Sequence, residues 1–197
     1  MIRLNSARRA WHDAFYTPWD SPGAQFEQIS RLGCGIQETD RQRGSRRAMH
    51  QAMAGRIQQA ITTLPEHVQA FGNHLYSPLA TIDEQETAEE TVWRLACQDS
   101  PRMTARKFEK SRYVVQAVLF RYRRIHQGGQ GGGADPLPGA ERMRNWIFDS
   151  FGVALVGDQW ARDWGAFVEQ CFAACDRLDR QALSPVGKAL QLMQEVV

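Results

Sequence analysis

Apolar residues recur at helical spacing along most of this chain. Met49, Met53, Ile57, Ala60 and Leu64 predict a helix over 39–64, with Thr39 or Asp40 as its cap. Val68, Phe71, Leu75 and Tyr76 predict a second over 65–76, opened by Pro65 and stopped by Ser77-Pro78. After Thr81, the residues Asp83, Glu84, Glu86, Glu89 and Glu90 crowd the start of a third helix, where acids complement the helix dipole. Val92, Trp93 and Ala96 then turn that helix, 82–97, inward. Met143, Trp146, Ile147 and Phe151 mark another helix, followed by Trp160, Trp164, Phe167, Cys171, Cys175 and Leu178 on a single stripe after an Asp158 cap. Ser184-Pro185 reads as the opening of a last helix through Leu190 and Met193. No segment alternates at the period of a strand. The pattern predicts an all-α fold, a helical bundle.

Two stretches interrupt it. Near the start, Trp11 and Phe15 lie one helical turn apart, and Pro18, Pro22 and Gly23 then break the pattern around Trp19. These aromatics either pack on the body or anchor a partner, since tryptophan is enriched at interface hot spots. Residues 127–139, QGGQGGGADPLPG, cannot continue a helix. They follow a helix rather than a strand and lack a GK[ST] ending, which excludes a phosphate-binding loop. The expected organisation is a helical body over 1–126, a flexible loop over 127–139 and a C-terminal helical extension over 140–197.

Charge changes the picture in one place. The chain has 197 residues and a net charge of only +2. Arg102 to Arg124, RMTARKFEKSRYVVQAVLFRYRR, holds eight of the 24 Lys and Arg against one acid, Glu109. At helical spacing Phe108, Val115, Leu119 and Tyr122 form one face. Arg106, Lys110, Tyr113, Ala117, Arg121 and Arg124 form the opposite stripe. Such a helix docks on a body and offers its basic side to a polyanion, or is simply a solvated surface helix. Arg41, Arg43, Arg46 and Arg47 place a smaller basic group at the start of the 39–64 helix, unfavourably for the dipole there.

Other chemistry is sparse. Cys34, Cys97, Cys171 and Cys175 show no metal-ligand spacing and read as structural thiols in a reducing cytoplasm. The first residues, MIRLNSARRAW, lack the apolar core of a secretory signal, and no apolar run approaches a membrane span. His67 and His74 have no acid or nucleophile arranged around them, and the acidic helix lacks a second ligand-bearing segment for a metal. No catalytic triad, carboxylate pair, cofactor motif or small-molecule site is apparent, so the chain does not read as an enzyme.

The order helix 65–76, acidic helix, Asp99-Ser-Pro turn and basic helix is the layout of a helix-turn-helix unit. LPEHVQAFGNHLY, ETAEETVWRLA and SRYVVQAVLFRYRR resemble the corresponding helices of region 4 of bacterial sigma factors, although the Gln98-Asp-Ser-Pro turn lacks the usual glycine. With WHDAFYTPW near the start, the order is also similar to phage late-gene antiterminators of the Q type. That resemblance implies a transcription antitermination protein that binds double-stranded DNA and RNA polymerase. In such a unit Thr104, Arg106, Lys107 and Lys110 lie where base edges are read, and Arg102, Arg121, Arg123 and Arg124 where phosphates are held. Ser111, Arg112 and Tyr113 complete the candidate DNA-binding set, with Trp11, Phe15, Trp19, Arg43, Arg46 and Arg47 as candidate partner contacts. The alternative is a protein-only adaptor or inhibitor whose basic stripe meets an acidic protein surface.

Overall fold

A computed structural model of the chain describes residues 6–15, 40–100, 103–126 and 134–195, with the side chains of 40–46 excepted. Every regular element among the described residues is helical. In order they are α1 (Ala7–Ala14), α2 (Asp40–Thr62), α3 (Glu66–Tyr76), α4 (Ile82–Gln98), α5 (Ala105–His126), α6 (Gly139–Phe151) and α7 (Ala166–Glu195), the last entered through a π-helical turn, Ala161–Gly165. The all-α bundle expected from the pattern is the observed fold.

Local chemistry sets several boundaries. Thr81 caps α4 through a reciprocal box: its hydroxyl accepts from the Glu84 N–H, and the Glu84 carboxylate accepts from the Thr81 N–H. Gly152 ends α6 in the left-handed region, at φ 68°, where a side chain would be strained.

The organising element is α7, which packs against α1, α2, α3, α4 and α5. The segment expected as an extension after the glycine-rich stretch therefore supplies the centre of the bundle. Trp164, Phe167, Cys171, Cys175 and Leu178 are buried as their stripe required. The break expected at Ser184-Pro185 does not occur, because α7 runs through Pro185 to Glu195. An interior proline loses one backbone hydrogen bond and costs ~3 kcal/mol. Continuing the helix buries Val186, Leu190 and Met193 on the same core, each worth ~1.5–3 kcal/mol, and that gain prevails. The buried line of α2 also departs from expectation. It runs through Ala54, Ile57 and Ile61, while Met49 faces solvent. Apolar residues at adjacent positions allow two neighbouring stripes, and the one fitting both α1 and α7 is chosen.

Helix α1 is keyed into this body rather than laid on it. Trp11 is fully buried and its indole N–H donates to Asn73 Oδ1 at 3.1 Å. Asn73 in turn donates to Glu84 at 2.6 Å, so one side chain ties α1, α3 and α4. Beneath the indole lies Gly72, where an added Cβ would sit 2.3 Å from Trp11 Cη2. Nearby, Asp179 of α7, 4% exposed, accepts from Tyr76 at 2.5 Å and Arg8 at 2.6 Å, with Tyr122 at 3.4 Å. This closed polar network joins α1, α3, α5 and α7. Burial and the Asp179 charge hold the Tyr76 phenol well above its ordinary pKa, so it donates at every physiological pH.

Candidate nucleic-acid interface

Helix α5 is enclosed more widely than its amphipathic pattern implies. Ser111, Val114, Val115, Ala117, Val118, Leu119 and Tyr122 are buried, because α4 and α7 cover one flank and α6 another. Ala117, expected on the basic stripe, is fully buried. Phe108, expected inside, is 45% exposed, because it lies in the first turns beyond the cover of α6.

The cations divide into braces and free groups. The Lys107 ammonium donates to Asp163 Oδ1 at 2.8 Å, and that bond holds the Asp163 carboxyl below its usual range. Lys110 donates to the Ala154 carbonyl at 2.8 Å. Both lysines therefore clamp the connection that leads into α7. Arg121 grips both oxygens of Asp135 and lies over the Phe172 ring, pulling that carboxyl down despite partial burial. Ser111 is buried, accepting from the Trp93 indole N–H at 2.8 Å and donating to the Phe108 carbonyl at 2.6 Å. Tyr113 packs on Phe151 with ring centroids 5.2 Å apart. Arg123 is half buried at a partly open cavity, and Arg124 is exposed beside Phe120.

Thr104, Arg106 and Arg112 remain at the surface of the first two turns. Arg112 lies 4.2 Å from the Trp93 centroid and pairs with Glu90 at 2.8 Å. Glu90 also pairs with Arg94. Although partial burial opposes it, hydrogen bonding from Arg94 and Arg112 keeps the Glu90 carboxyl below its ordinary range. Trp93 meets Phe108 edge-on at 4.9 Å. Arg94, Trp93 and Phe108 are thus additions to the surface residues singled out from sequence. The i,i+4 spacing of Glu90 and Arg94 was the signal for the first.

The remaining candidates fall elsewhere. Arg102 and Trp19 lie outside the described residues, as do the side chains of Arg43 and Arg46. Arg47 is exposed on α2, far along the chain from the α5 surface. Trp11 is spent on the core and is closed to a partner, while Phe15 packs against that core and is partly exposed. Among the described residues no group of three or more His, Cys, Asp or Glu could hold a metal, and no helix is long and apolar enough to cross a membrane. Burial raises the Cys171 and Cys175 thiols, which suits unreactive core residues. Comparison with protein-family models, with characterised proteins and with solved structures finds nothing that matches this chain.

Proposed function

We propose that this protein is a DNA-binding transcription regulator of the antiterminator type, working with RNA polymerase from the cytoplasm. The observation that supports this reading is that the N-terminal two turns of α5 are exposed, with Thr104 just before them and Arg106 and Arg112 on them. The first turns of a recognition helix are the part that reaches base edges in the major groove. An arginine fork on guanine O6 and N7 would contribute ~1–3 kcal/mol of discrimination. Arg94 adds a cation on the neighbouring helix, and Arg124 one at the far end of α5.

Lys107 and Arg121 are held in partly covered ion pairs and Lys110 on a backbone carbonyl of another segment, so they leave the DNA-binding set. The Arg112 pair with Glu90, in contrast, is exposed and weak enough for a phosphate to displace. The contact number is correspondingly small. Three to four phosphate contacts imply a salt slope of about −3 in log K against log salt. Duplex retention at low salt, measured with the full chain, tests this: Arg106→Gln with Arg112→Gln should weaken binding and flatten the slope. Full retention by the double variant would sink the reading.

A second reading rests on the same patch. Arg112 over Trp93, with Phe108 half open, has the aromatic and arginine composition of a protein-interface centre. A protein-only adaptor would keep its partner without DNA. Phe108→Ala would weaken that partner by tenfold or more and leave the salt slope on DNA untouched.

A further inference from the structure

A cavity of about 240 Å³ lies between α3, α4, α5 and α6. Leu119, Phe120, Trp146 and Phe151 form its apolar wall, and His74 of α3, Gln85 and Glu89 of α4, and Gln116 and Arg123 of α5 form its polar lining. Phe120 and Trp146 are stacked, 4.9 Å apart at 21°, and Phe151 meets Trp146 edge-on at 5.6 Å. That wall is rigid and flat. A cavity of ~150 Å³ accepts benzene, so this one admits a substituted single ring.

Its polar groups are unfinished. Arg123 Nε is buried with no hydrogen-bond partner, and no carboxylate pairs with Arg123 among the described residues. Gln116 donates from Nε2 to Glu89 at 2.7 Å. A carboxylate accepts only, so the amide orientation is fixed and Oε1 points away, buried and without a donor. His74 is 5% exposed, and burial together with Arg123 depresses it to about 4, so it faces the cavity as a neutral ring. The Glu89 carboxylate also lines the cavity but is engaged by Gln116 and does not pair with Arg123, so Arg123 Nε still lacks an acceptor and Gln116 Oε1 a donor.

We propose that this cavity is a binding site for a small aromatic carboxylate bearing a hydrogen-bond donor across the ring from its acid group. The carboxylate sits on the Arg123 guanidinium, where a fork of N–H donors matches it. The ring lies against the Trp146 and Phe120 wall, and the donor reaches Gln116 Oε1. This site does not depend on the α5 surface discussed above, since it shares none of the residues exposed there.

Calorimetry and thermal shift on the full chain with 4-hydroxybenzoate test it. Binding with Kd below about 1 mM is expected, as suits a ligand of some ten heavy atoms. The neutral 4-hydroxybenzamide should bind at least tenfold more weakly. Arg123→Met should remove the preference for the acid, and Gln116→Leu should weaken 4-hydroxybenzoate while leaving benzoate unchanged. Two variants acting on different ends of the ligand keep the test valid if one of them folds poorly. Absence of binding by both acids at about 5 mM, or equal binding of acid and amide, overturns the proposal.

Discussion

Asp179 and Arg123 are both ionised side chains drawn into the bundle, and their surroundings are opposite. Asp179 receives donors from Tyr76, Arg8 and Tyr122, and four helices meet on it. Arg123, the residue after Tyr122, is only half buried and its buried Nε has no acceptor. A buried charge is tolerated when its partners repay desolvation, and is a liability otherwise. The closed group is therefore architectural. The open one is only half buried and ties no helices together, so it adds little to the architecture. The same division runs along α5, where Lys107, Lys110 and Arg121 are braces and Arg106 is not.

Breaking the closed network should have the largest effect. Asp179→Ala strands the Tyr76 hydroxyl and the Arg8 guanidinium, and should destabilise by ~3–5 kcal/mol in denaturant melts. If it costs under about 1 kcal/mol, the network is not architectural.

Acid acts on the open side. His74 titrates near 4 in the fold against 6.5 unfolded, because burial and then Arg123 disfavour its cation. Between those values the unfolded chain binds the extra proton. Stability from this group is therefore full above about pH 6.5 and drains as pH falls towards 4, by up to ~3 kcal/mol. His74→Gln should flatten that part of the pH–stability curve, and an unchanged curve would show that His74 is not the group responsible.

Gly72→Ala drives a methyl into the Trp11 indole and should cost ~1–3 kcal/mol, outweighing alanine's better helix propensity. A gain in stability would mean that α1 is not seated on α3 as described. Arg123→Met should be smallest, within about 1 kcal/mol of the parent or slightly stabilising, since no ion pair is lost. A loss as large as that of Asp179→Ala would erase the distinction between the two sites.

Much of this architecture is legible in the sequence, and the exceptions share a cause. The stripe from Trp164 to Leu178 and the boundaries near Pro65, Thr81 and Asp99 are local signals, and they hold. The fate of a charge is not local. Lys107 meets Asp163 56 positions on, and Lys110 meets the Ala154 carbonyl 44 positions on. No count of cations in a window can separate a brace from a free group when the partner is that distant. The burial of Trp11 likewise depends on Asn73 and on the space above Gly72. Pro185 misleads for the complementary reason, because tertiary burial beyond it outweighs a valid local stop signal.

The division of α5 cations is tested most directly by the salt dependence of duplex DNA binding for three proteins: the parent, Arg106→Gln with Arg112→Gln, and Lys107→Gln with Lys110→Gln. The account predicts that the arginine pair lowers the slope by about 1.8, at 0.9 per contact. The lysine pair should lower the melting temperature and leave the slope of the folded protein unchanged. A slope carried by the lysines, or no DNA binding by the parent at low salt, would contradict it.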